Sequence, residues 1–312
     1  MKAILAIALK TRQDIERIVP TLSGYKYLSG INVIKELTPK IVRKIWGGQK
    51  LESMKGLQSV GETEPIGETL EICEDHLPYL AKFIDTSDVL SIQVHPGDEY
   101  AKFHENSQGK TECWVVLEAE EGSGVYLGLK SHVTKELLKE TLGQKKPVDK
   151  LLNFYPVKRG DFFYVAAGSI HAIGQNITLA EVQQNSGITY RVWDWDRIGR
   201  ELHVEKSLDV INFDKFSNCQ DFFRIRHHLF DKEGLSELCE HPHFHLFLLN
   251  MKKGNIYQKE VTEVSRPCSV LNLEGSVLIN GKKINSFGAV LIDDENHLKI
   301  EALDDGSLLL IF

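Results

Sequence analysis

The 312-residue sequence has no apolar run long enough to cross a bilayer, which would take roughly 20 residues, so no helical membrane span is expected. A basic excess is also missing. The net charge is -7, which argues against a general nucleic-acid or membrane-surface binder. An anionic partner would have to be met by a local cluster of cations. Cysteine is sparse: Cys73, Cys113, Cys219, Cys239 and Cys268 are scattered, odd in number and without CxxC spacing. This excludes a disulfide framework and fits reduced, buried thiols in a cytoplasm. Internal repeats and low-complexity segments are absent too. The apolar stretch near Met1 is short, carries no convincing cleavage site and reads as a strand, followed by a short helix over Thr11–Val19.

What is present is a chain with 42% hydrophobic residues, enough for one large or two modest domains with a sizeable core. Ile66–Ile72 alternates apolar with polar residues and reads as a strand with one buried face. Tyr79–Asp85, Val89–Val94, Cys113–Leu117 and Gly160–Val165 are further strands. Thr134 is a plausible N-cap for a helix over Lys135–Leu142, and Pro147 suits the first turn of another over Val148–Phe154. From about Phe213 onward, short strands follow at close spacing: His245–Met251, Cys268–Leu273, Ser276–Asn280, Gly288–Ile292 and Ser307–Phe312. Gly275 supplies a turn, and Asn280-Gly281 and Asp305-Gly306 are expected to close hairpins. Such a run reads as a second β sandwich or barrel.

The chemistry-bearing residues gather around the stretch Ser91-Ile92-Gln93-Val94-His95-Pro96. Gln93 and His95 are two apart, so an extended chain sends both side chains to the same face. Glu112 opens an apolar strand, where an unpaired carboxylate would be costly. His171 follows the tight turn Ala167-Gly168-Ser169-Ile170. An amide, two imidazoles and a carboxylate form a divalent-metal set, with zinc the best match. Lys82 sits between Leu80-Ala81 and Phe83-Ile84, an unusual place for a freely solvated ammonium. Lys110, two before Glu112, shares its face. His227, His228, His241, His243 and His245 look like a second metal cluster, and His243 and His245 share the spacing of the first site. No carboxylate strand or Gly-x-x-His turn follows, so a second metal is not expected.

The motifs QVHPGDEYA, GKTECW, GDFFYV, GSIHAIG and EVQQNSGITYRVWDWDR, in this order, resemble those of the type I mannose-6-phosphate isomerases in their short bacterial form. These are zinc enzymes of the cupin superfamily, and the resemblance runs from about Trp46 to about Val210. It implies a mainly β fold of two cupin-like double-stranded β-helix (jelly-roll) domains with a few short helices. The domains implied are an N-terminal extension over 1–36, a catalytic metal-binding domain over 37–212, and a metal-free β domain over 213–312. It implies one zinc held by Gln93, His95, Glu112 and His171. Arg191 matches the family's active-site arginine and Ser91 a family position that contacts the phosphate. Lys82 and Lys110 are the further cations such a phosphosugar would need, Lys82 for binding and Lys110 for both binding and catalysis. Glu181 is the preferred acid/base, ahead of Asp98 and His95, weighed against a purely structural pairing of Glu181 with Arg191. The partner implied is a small-molecule sugar phosphate, with neither nucleic acid nor membrane.

The activity implied is interconversion of mannose 6-phosphate and fructose 6-phosphate through an enediol. Two departures from the family pattern stand out: the N-terminal extension, and the missing helical insertion before Leu77-Pro78. Ala166 also replaces a proline of the general cupin motif. The alternatives are a metal-dependent cupin oxygenase, or a non-catalytic sugar-phosphate-binding protein.

Overall fold

A computed structural model describes residues 34–57, 63–259, 268–292 and 298–312. The strand and helix expected near the N-terminus lie outside these residues.

The first module is built from two antiparallel sheets. The larger has the order β2 (Lys40–Gly48), β3 (Ile66–Ile72), β4 (Tyr79–Asp85), β11 (Ile177–Gln184), β6 (Glu112–Ala119) and β9 (Phe162–Val165). The smaller runs β12 (Tyr190–Trp193), β5 (Ile92–Val94), β10 (His171–Ile173), β7 (Gly124–Leu129) and β8 (Leu152–Pro156). The second module repeats the scheme. One sheet runs β1 (Ile34–Glu36), β19 (Ala289–Ile292), β16 (Cys268–Glu274), β21 (Gly306–Ile311), β14 (Phe244–Met251) and β13 (Gly234–His241). The other runs β15 (Ile256–Lys259), β20 (Leu298–Ala302), β17 (Val277–Ile279) and β18 (Lys282–Ile284). This is the mainly β, cupin-like double sandwich that the family resemblance implies.

Side-chain alternation decides what each face meets. On β6, Cys113, Val115 and Leu117 point outward with Ala180 and Val182 of β11 and Ala81 and Phe83 of β4. There they pack on Leu246, Leu248, Leu271 and Leu309 of the second module. The opposite parity, Trp114, Val116, Leu179 and Ile84, fills the inside of the first sandwich together with Val125, Leu127 and Phe163. Both faces of the large sheet are therefore covered, which is why β4 and β11 are buried along their whole length. That same inner parity carries Lys82, Glu112 and Glu181.

Several elements differ from expectation. Val148–Phe154 is not a helix: a single 3-10 turn at Asp149–Leu151 leads directly into β8, an edge strand pairing with β7. The pull of an open sheet edge outweighs one favourable N1 proline, and Pro156 closes that strand where no further donor is needed. Asn280-Gly281 does close a two-residue hairpin, with φ of 43° and 84°. Asp305-Gly306 does not, because β20 and β21 lie in different sheets and the turn carries the chain between them. The Pro96–Thr111 loop contains a helix, Asp98–Glu105. Ile34–Glu36, expected within the N-terminal extension, pairs with β19 of the second module. Phe223, expected in the second domain, is buried in the first module's core. Cys73 is exposed and Cys219 half-buried; all five cysteines are free.

Candidate active site

Three short strands place one row of side chains across the smaller sheet. His171 of β10 and Arg191 of β12 are both direct partners of Gln93 on β5. Opposite residues in an antiparallel ladder project to one face, so the row faces the larger sheet. From that sheet comes Glu112, at the start of β6. His95 continues the β5 face two residues beyond Gln93.

His95, Glu112 and His171 converge: each offers a ligand atom, and these atoms lie within 4.8 Å of one another. All three residues are almost completely buried. His171 Nε2 is 3.3 Å from Glu112 Oε1, and His95 Nε2 is 3.5 Å from Glu112 Oε2. The far side of each ring is already engaged. His95 Nδ1 donates to Ile188 O at 2.8 Å and His171 Nδ1 to Ser169 O at 2.9 Å. A carbonyl can only accept, so both neutral rings carry the proton on Nδ1 and aim an Nε2 lone pair at the carboxylate. Burial, with Lys110 close by, pushes His171 down to about 4 and His95 well below the usual imidazole range. Both are therefore neutral, as a metal ligand must be.

The remaining donor chemistry fits a cation as well. Glu112 Oε2 is buried and receives no hydrogen bond of acceptable geometry, although Lys110 Nζ lies 2.8 Å away. Lys110 Nζ is also 3.1 Å from His95 Nε2, so a positive group is held against the set. Gln93 Nε2 lies 3.2 Å from His171 Nε2. Turning the amide over would present its oxygen to the same point. Among the described residues, this is the cluster of three or more His, Cys, Asp or Glu able to hold a metal.

A second layer lies beside it. Glu181 is directly opposite Trp114 on one side and Lys82 on the other. Its Oε2 accepts from Trp114 Nε1 at 3.0 Å, and its Oε1 is 3.1 Å from Lys82 Nζ and 3.8 Å from Lys110 Nζ. Burial, followed by the neighbouring Glu112, raises its pKa; the two lysines oppose this. Lys82 also meets Glu68 at 3.2 Å. The pairing of Glu181 with Arg191 weighed from the sequence is replaced by these lysine contacts. Arg191 instead donates through Nη1 to Glu201 O at 2.7 Å, while its Nε is buried without a hydrogen bond. Burial lowers its pKa, with Arg200 adding to the effect. Ser91 is buried just before β5. Asp98 stands apart from the donor set, bonded to Gly109, Gln184 and His243. His245 faces Glu237 at 3.6 Å.

Sequence reasoning missed Glu68 and Trp114. Trp114, two residues past Glu112 on the same strand face, was within reach of the alternation argument; Glu68, on another strand, was not.

Two stacked antiparallel sandwiches with a His–Glu–His set enclosed in the first define a cupin-type protein with a metal-competent site. No family model matches the chain. It is 37% identical over 219 residues to the mannose-6-phosphate isomerase of Streptococcus mutans, covering 58% of this chain and 69% of that protein. It is 45% identical over 143 residues to mannose-6-phosphate isomerase ManA of Bacillus subtilis, covering 44% of this chain and 45% of that one. Among solved structures, the mannose 6-phosphate isomerase from Bacillus subtilis superposes with a TM-score of 0.74 at 23% identity, over 90% of this chain and 100% of that one. A phosphomannose isomerase variant from Salmonella typhimurium gives 0.70 at 12% identity, over 90% of this chain and 99% of that one. The chain belongs to the mannose-6-phosphate isomerase family. Among the described residues no helix is long and apolar enough to cross a membrane.

Proposed function

We propose that this protein interconverts mannose 6-phosphate and fructose 6-phosphate, with one zinc ion held by Gln93, His95, Glu112 and His171. The observation that carries the reading is the pair of histidines locked by backbone carbonyls so that both Nε2 atoms face the buried Glu112. Zinc bound there would act as a Lewis acid toward the oxygens at C1 and C2 of the sugar.

The chain's own residues supply the rest. Isomerisation moves a proton between C1 and C2 through an enediol, so a base must reach carbon. Glu181 can serve as that base, since it is buried, its pKa is raised, and Lys82 and Trp114 hold its carboxylate in place. Lys110 reaches both Glu181 and the donor set, where an ammonium offsets charge developing on oxygen. Arg191, in register with Gln93, serves the same end from the other sheet. Ser91 and Lys82 complete the substrate contacts, and the enclosing sheets keep bulk water from the reacting carbons. These lysines favour a sugar phosphate over the oxygenase alternative, which has no need of them. The free thiols suit a cytoplasmic setting, and the modules divide into a catalytic first and a metal-free second.

Metal analysis combined with an isomerase assay on mannose 6-phosphate tests the proposal. One zinc per chain with turnover is expected, and His171→Ala should lose both. Metal without turnover would leave a sugar-phosphate-binding protein.

A further inference from the structure

The neck of the loop that delivers Lys110 is tied down residue by residue. Gly109 N donates to Asp98 Oδ1 at 2.8 Å, Lys110 N to Pro96 O at 3.0 Å, and Thr111 N to Gln184 Oε1 at 2.8 Å. Gln184 Nε2 in turn donates to Asp98 Oδ1 at 2.9 Å. One carboxylate oxygen of Asp98 thus organises both residues flanking Lys110. Its other oxygen, Oδ2, accepts from His243 Nε2 at 3.2 Å.

His243 belongs to the second module, on the turn between β13 and β14. Its own backbone N–H donates to His241 Nδ1 at 3.3 Å, and the two rings stack at 5.5 Å. Asp98 is therefore gripped from both sides: by the loop it organises, and by an imidazole supplied from the neighbouring sandwich. A half-exposed pair of this kind adds little to global stability. What it does determine is which way Asp98 points, and with it the seat of Gly109 and Gln184.

We propose that His243 is a positioning residue for the reaction: through Asp98 it holds the 109–111 neck, and hence the Lys110 ammonium, against the donor set. This gives the second module a part in the first module's site. The inference rests on the role given above to Lys110.

His243→Leu tests it, with His243→Gln as the conservative partner, since a glutamine amide can still donate to Asp98. The leucine variant should lose roughly 3–10-fold in kcat/KM, because small displacements of a catalytic group are costly. Its zinc content and melting temperature should stay unchanged, and the glutamine variant should recover most of the loss. Backbone amide exchange at Gly109 and Thr111 should speed up in the leucine variant and not in the glutamine one. That second measurement is independent of turnover, so it separates failure of the His243–Asp98 hold on the neck from failure of the isomerase reading itself. Unchanged exchange at the neck, or a glutamine variant as impaired as the leucine one, would overturn the proposal.

Discussion

At the scale of single residues, the proposed reading separates groups that would hold the cation from groups that would act on substrate. Glu181 touches no histidine nitrogen of the donor set, so Glu181→Gln should leave metal content intact. Removing a positioned base typically costs 10²–10⁴-fold, and a fall in kcat of about that size is expected. A glutamine variant with near-normal turnover would assign the base to another group. Arg191 makes a different prediction. Its guanidinium is partly desolvated and committed to one backbone carbonyl, which leaves donors for charge that develops in the reaction. Arg191→Ala should lower kcat by roughly 10²–10³ without releasing metal. Near-normal kcat would reduce the arginine to a support for the Glu201 segment.

Elements matter mainly as carriers of those groups. Strand alternation alone brings Lys82, Glu181 and Glu112 to one inner face, while the loop before β6 must fold tightly to bring Lys110 in. Gly109 is where that loop closes. A Cβ there would lie 2.6 Å from Asp98 N and from Gly97 C, and 2.8 Å from Pro96 O. All three are backbone atoms, so the clash cannot be relieved by turning a side chain. Gly109→Ala should cost about 1–3 kcal/mol, the usual range for overpacking, measurable by urea denaturation. It should also depress turnover by displacing Lys110. An alanine variant of normal stability would show that the loop has room to shift.

For the whole molecule, buried neutral histidines link folding to acidity. His171 is held down to about 4, and His241 also to about 4, chiefly by burial with His243 nearby. In the unfolded chain both take up protons near pH 6.5. Between about pH 6.5 and about pH 4 the unfolded state therefore binds more protons than the folded one. The stability of the metal-free protein is fully present above that window and declines as pH falls through it. Melting temperatures of chelator-treated protein across the window check this, and a flat profile would contradict the burial argument. Zinc binding should steepen the decline, since protons compete with the metal for the imidazoles.

Much of the site was legible in the chain because its geometry is local. Gln93 and His95 are related by the two-residue period of a strand, as are Lys110 and Glu112. A carboxylate opening an apolar strand announces a partner, and Asn280-Gly281 closes a hairpin by its own backbone preference. Tertiary structure decided the rest. Whether Asp305-Gly306 turns within a sheet or between sheets depends on where two strands find partners, which no dipeptide encodes. Val148–Phe154 became an edge strand because β7 had an open edge to satisfy. Glu181 found Lys82 and Lys110 rather than Arg191 because β11 sits between β4 and β6, whereas Arg191 lies across the barrel on another sheet. The contact of Asp98 with His243 spans 145 positions. It exists only because two sandwiches stack through a shared apolar face, and nothing in the local sequence of either residue points to the other.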